Sequence, residues 1–182
     1  MRTRTNLVKM ALLTLAVAAA DSATVRAPII SPSSRKAAPV FDLLDSSGKH
    51  ARLSDYLGTP VVLNLWATEC GGCVLEIPTF VQMNESHGGK ELKVVGISMD
   101  ISYEGLKDSN EAWGKVRPFV AARDVKYQIL MGNEEIEKLY KVEALPITHL
   151  LDRRGRIAAT YIGIVNPADL EANIRALLAE GK

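Results

Sequence analysis

Cysteine is nearly absent from this chain: Cys70 and Cys73 are its only two in 182 residues, and histidine stops at His50, His87 and His149. A structural zinc site takes four ligands, usually from two close pairs. One cysteine pair with no paired histidines excludes it. Excess charge is missing as well, with 22 Lys and Arg against 21 Asp and Glu. That balance gives no electrostatic reason to expect nucleic acid or an anionic membrane as partner. No apolar run reaches the roughly 20 residues that cross a bilayer, and there is no internal repeat or low-complexity tract.

The one sizeable apolar run, Met10 to Ala20, follows Arg2, Arg4 and Lys9 and ends in three alanines. This is the layout of a secretory signal cleaved after Ala20. Thr3 separates the arginines, so no twin-arginine signal is evident. No cysteine follows the run closely, which argues against a lipid anchor. Without residues 1–20 the formal charge goes from +1 to −2. The remaining chain suits one domain with a full core. Residues 21–37, rich in Ser, Ala and Pro, read as a flexible leader, and 38–182 as the domain. Export is expected to leave the protein periplasmic and soluble after cleavage, with an uncleaved N-terminal anchor as the less favoured alternative, in a compartment where two cysteines are normally joined.

Both cysteines lie between a strand and a helix. Val61-Val62-Leu63-Asn64-Leu65 is an apolar, β-branched run, and Val74, Leu75, Ile77, Phe80 and Val81 follow a helical repeat. Cys70 and Cys73 thus share one helix face near its N-terminus, within reach of a disulfide. Unpaired N–H groups and the helix dipole favour a thiolate there. Cys70, nearer the helix end and expected to be the more exposed, is the attacking sulfur. Cys73, one turn deeper, resolves the mixed disulfide. A staple across two residues would constrain the unfolded chain little, so redox chemistry is the better reading.

Further strands are expected over Leu92–Met99, Tyr127–Met131, Ile147–Asp152 and Arg156–Gly163, with a hairpin before them around Asp45–Gly48. Ser102 to Ala122 reads as a helix broken at Gly114 and Pro118, with Trp113 as a packing residue. Asn133 caps a short helix and Pro167 begins the last one. The order implies an α/β chain with a mixed sheet, parallel in its first part and flanked by helices on both faces.

The stretch Leu63-Asn64-Leu65-Trp66-Ala67-Thr68-Glu69-Cys70-Gly71-Gly72-Cys73-Val74-Leu75-Glu76-Ile77-Pro78, with Leu145-Pro146-Ile147-Thr148 and the Asp152–Arg156 turn, resembles the thioredoxin-like exported thiol–disulfide oxidoreductases of the TlpA/ResA type. The resemblance implies a thioredoxin-like fold with an N-terminal hairpin and an inserted helical segment. It also implies a cis Pro146 against the active-site disulfide. Leu145, Trp66, Gly71 and Gly72 are then expected to contact substrate, and Glu76 to move a proton at the buried thiol. Pro78 is expected to bend the helix. The implied partners are disulfide-bearing exported proteins, with cytochrome c maturation as one setting, and a membrane thiol donor. No cofactor or metal is expected. Glu69 stands where the group often has an aromatic residue, and an inward carboxylate would raise the Cys70 pKa. A less stabilised thiolate makes a better reductant. The alternatives are a disulfide oxidase or isomerase, and a copper carrier binding through Cys70, Cys73 and His149, all soft ligands.

Overall fold

The computed structural model describes residues 24–89 and 91–181. The expected signal over residues 1–20 lies outside them. Five strands form one sheet: β3 (Val61–Trp66), β4 (Lys93–Ser98), β5 (Gln128–Met131), β6 (Ile147–Leu151) and β7 (Ile157–Ile162), in the order β5-β4-β3-β6-β7. β3, β4 and β5 run parallel, while β6 and β7 are antiparallel to their neighbours. A separate hairpin, β1 (Asp42–Leu44) with β2 (His50–Arg52), precedes them and touches β5 through the Asp45–Leu130 bridge.

All six residues of β3 are buried, and its side chains alternate between two apolar layers. Val62 and Trp66 pack with α1 (Gly71–His87), α3 (Ser109–Ala121) and α5 (Pro167–Ala179). Leu63 and Leu65 pack with α4 (Glu134–Tyr140) and the hairpin. Right-handed crossovers from β3 through α1 to β4, and from β4 through α3 to β5, advance in one direction and so leave both helices on one face. Asn133 caps α4 by accepting from the Ile136 N–H, and Pro167 opens α5, both as the sequence reading has them.

Two expectations are corrected. The inserted segment does not break at Gly114 or Pro118, since α3 runs through both. It breaks earlier, after α2 (Asp100–Glu104), where Gly105 takes a left-handed conformation at φ 66° that glycine adopts without steric penalty. Asp108 then restarts the helix by accepting from the Asn110 and Glu111 N–H groups.

The second correction concerns the leader. Residues 24–38 lie along the edge of β7 rather than standing off as a flexible tail. The Val25 and Ile30 N–H groups donate to Ile164 and Ala158, and the Ile157 N–H donates back to Lys36. An edge strand leaves a row of unpaired backbone groups, and this segment fills them. Arg35 pins its far end: the guanidinium reaches Asp152 at 3.3 Å and Glu180 at 2.5 Å.

Candidate active site

Cys70 is the N-cap of α1, and its Sγ accepts from the Cys73 N–H at 3.2 Å. The two cysteines are joined by a disulfide. They are 4% and 0% exposed, so the expected asymmetry holds, but both are well covered. The Leu145–Pro146 bond is cis, as the resemblance implies. Gly72 lets that segment approach: a Cβ there would stand 3.3 Å from Pro146 Cδ and 3.4 Å from Ile164 Cγ1. Gly71 is exposed and Leu145 half-buried. A cleft of about 230 Å³ adjoins Leu145, walled by Met99, Tyr103 and Val142.

Trp66 is corrected. It is 1% exposed, its ring 5.4 Å from that of Phe119, so it supports the site from inside and cannot touch a substrate. The indole edge also explains Gly96, where a Cβ would fall 2.9 Å from Trp66 Nε1. Pro78 sits inside a helix that continues to His87.

Glu76 is 1% exposed, deeper than a residue at the edge of a helical stripe. Its Oε1 accepts from Asn64 Nδ2 at 2.7 Å and its Oε2 from the Val165 N–H at 3.3 Å. Burial pushes its carboxyl up to about 8, against the partial opposition of those two donors. The group therefore changes charge near neutrality, one turn along α1 from Cys73.

The copper arrangement fails on geometry. His149 pairs with Leu63 in the β3–β6 register and shares its face, with its ring 5.6 Å from Tyr140. The cysteines pack on the other layer, so the sheet stands between the imidazole and the sulfurs. Burial lowers His149 to about 4, and its Nδ1 meets Thr160 Oγ1. Among the described residues, no three His, Cys, Asp or Glu side chains are grouped to hold a metal ion.

Sequence reasoning missed a polar network under the loop before Cys70. Asp100, fully buried as the first residue of α2, two residues after β4, accepts from the Thr68 N–H at 3.0 Å and from the hydroxyls of Thr68 and Ser98. Thr68 also meets Glu104, and Lys115 on α3 bridges Glu104 and Glu69. Burial raises the Asp100 carboxyl, while Lys115 holds Glu104 low. The available signal was an aspartate just after a buried strand, a poor place for an unpartnered charge.

A disulfide-forming cysteine pair spaced by two residues at a helix N-terminus, beside a cis-proline loop and one turn from a buried carboxyl, on this sheet order, defines a thioredoxin-like thiol–disulfide oxidoreductase. The chain belongs to the AhpC/TSA family, whose pattern matches residues 35–160. It is 30% identical over 137 residues to the thioredoxin-like protein YneN of Bacillus subtilis, covering 75% of this chain and 76% of that one. It is 26% identical over 140 residues to the thiol-disulfide oxidoreductase ResA of Geobacillus kaustophilus, covering 77% and 75%. Among solved structures it superposes on a Chlorobium tepidum protein described as a candidate thiol:disulfide interchange protein DsbE, with a TM-score of 0.66 and 27% identity over 86% of this chain and 99% of that one. A DsbF homologue from Corynebacterium diphtheriae matches with a TM-score of 0.70 at 23% identity over 84% and 94%, a likeness of fold.

Proposed function

We propose that this protein reduces disulfides of exported proteins, in the periplasm, through the Cys70/Cys73 dithiol. The Cys70 thiolate attacks a substrate disulfide, forming a mixed disulfide and releasing one substrate thiolate. Cys73 gives its proton to Glu76 in its carboxylate form, the minor one below about pH 8, and attacks Cys70 Sγ, which closes the internal disulfide and releases the second substrate thiolate. Two electrons pass to the substrate, and a membrane thiol donor restores the dithiol. The backbone beside Pro146 pairs with an extended substrate segment, with Leu145, Gly71 and Gly72 against it. Cytochrome c maturation is one setting for such a reductant.

The observation that carries the reading is Glu76, a carboxyl buried one turn beyond Cys73 and pushed up by that burial to about 8. The reducing direction is supported by Glu69 and Gly71-Gly72, which add no cation to stabilise the Cys70 thiolate, because a stabilised reduced form makes an oxidant. Among the described residues no helix is long and apolar enough to cross a membrane.

The test is a redox titration of the chain from residue 21 onward, with Cys70→Ser as control, and trapping of mixed disulfides on Cys73→Ser. A midpoint well below the strong-oxidant value of about −120 mV, with exported proteins trapped on Cys70, supports the reading. A midpoint near that value overturns it in favour of an oxidase or isomerase.

A further inference from the structure

Asn64 occupies a place in β3 that the alternation reserves for core. Val62 and Trp66, two residues to either side, are apolar and buried on the same face, yet Asn64 is 1% exposed and polar. Its Nδ2 donates twice, to Glu76 Oε1 at 2.7 Å and to Thr148 Oγ1 at 3.0 Å. Its Oδ1 is buried and has no partner among the described residues. A buried amide oxygen left unpaired bears the full cost of its lost hydration, so the arrangement calls for a compensating use.

The hydrogen-bond arithmetic supplies one. Both Glu76 oxygens face donors, Asn64 Nδ2 and the Val165 N–H, which is correct for a carboxylate. A carboxylic acid carries a hydroxyl that must itself donate, and against two donors it has nowhere to do so. Turning the Asn64 amide by half a revolution exchanges Oδ1 for Nδ2. Oδ1 then accepts from the Glu76 hydroxyl and from Thr148, whose hydroxyl donates as readily as it accepts.

We propose that Asn64 is a positioning residue whose amide turns over with the protonation state of Glu76, donating to the carboxylate and accepting from the acid, with Thr148 reversing its own hydrogen bond in step. This rests on Glu76 being the group that receives the Cys73 proton. The amide carries no proton: the proton moves only from Cys73 Sγ to a Glu76 oxygen, and the rotation keeps that oxygen paired in both states. The other groups acting with this carboxyl are the Val165 N–H ahead of α5 and the Tyr127 phenol ahead of β5, which burial and then Glu76 keep protonated, while Cys73 stands one turn back on the same helix. Among the described residues no cation acts on Glu76, so its balance of forms is left to burial and these hydrogen bonds.

The experiment is an NMR titration of the isotope-labelled chain in its disulfide form, following Glu76 Cδ and the Asn64 side-chain amide between about pH 5 and 10. The Asn64 Nδ2 and Cγ signals are expected to move with the same midpoint as Glu76 Cδ, and to stay still in Glu76→Gln. Thr148→Val keeps a similar volume and removes the hydroxyl that must reverse. It should shift that midpoint, and the midpoint of the resolving step in a stopped-flow pH profile, together and by the same amount. Asn64→Leu should raise both by about one pH unit, a tenfold loss of carboxylate at a fixed lower pH. Asn64 signals that stay flat while Glu76 titrates overturn the proposal and leave the proton role of Glu76 standing. A Glu76 Cδ that does not titrate, or a Glu76→Gln chain with an unchanged pH profile, overturns both.

Discussion

Glu69 stands next to the attacking sulfur, where an unpaired carboxylate would oppose the Cys70 thiolate. In the folded chain its side chain is 66% exposed and pairs with Lys115 Nζ at 3.3 Å. Lys115→Met removes that compensation and also leaves Glu104 without its cation. The Cys70 thiol of the reduced protein is therefore expected to rise by a few tenths of a pH unit, slowing alkylation by iodoacetamide about twofold near neutral pH. Glu69→Gln is expected to act in the opposite direction, and both effects should fade at high salt because the pair is solvated. An unchanged alkylation profile in both variants would show that Glu69 is electrically silent. None of this was legible locally. The local sequence leaves open which way Glu69 points, and the answer lies on Lys115, 46 residues away. The proton role of Glu76 is what the resemblance implies, and its place one turn from Cys73 was legible. Its full burial was not, because the covering Val165 segment arrives 89 residues later.

At the scale of elements, strands and caps announced themselves where local chemistry decides them: the β-branched run of β3, Asn133 and Pro167 at helix starts, Gly155 in the β6–β7 turn at φ 71°. The strap over residues 24–38 did not. Its Ser, Ala and Pro content matches a mobile segment, and what orders it is the unpaired edge of β7 and two distant carboxylates. Arg35 is the residue to test. Its side chain is 1% exposed against Asp152 and Glu180, and its Nε also donates to the Ile30 carbonyl at 2.9 Å. Breaking one side of a buried ion pair strands the other charge. Arg156 still holds Asp152 at 2.7 Å, and Glu180 is 34% exposed, which limits the loss. Arg35→Met is expected to lower stability by about 2 kcal/mol and to open the strap to limited proteolysis, while the Cys70/Cys73 midpoint stays unchanged. A variant as protease-resistant as the parent would mean that the backbone pairing with β7 holds the strap without its pin.

Across the whole molecule, the sheet separates two buried titratable groups with opposite effects on stability. Glu76, on the α1 layer, is held near 8 when folded against about 4.5 unfolded. Between those values the folded chain keeps a proton that the unfolded chain has released, so stability falls as pH rises. His149, on the α4 layer, is held near 4 when folded against about 6.5 unfolded. Between those values the unfolded chain takes up a proton that the folded chain refuses, so stability falls as pH drops. The two slopes oppose each other from about pH 4.5 to 6.5 and largely cancel. From about 6.5 to 8 Glu76 acts without that opposition, at up to about 1.4 kcal/mol per pH unit. Urea midpoints of the disulfide form at pH 5, 6.5 and 8 resolve the two contributions. Glu76→Gln is expected to flatten the alkaline limb and expose the acid limb of His149. His149→Gln is expected to leave a decline with rising pH across the whole range. Asp100, also raised by burial, is intact in both variants, so the difference from the parent isolates each group. Aspartates held low by their hydrogen-bond partners, Asp42 by His50 and Arg52 and Asp152 by Arg156 and Arg35 against the opposing cost of burial, lose their contribution only as pH falls below the usual carboxylate range, outside this window. A Glu76→Gln chain that kept the parent's slope between pH 6.5 and 8 would show that its carboxyl is already ionised in the folded state, and the proton store beneath Cys73 would not exist.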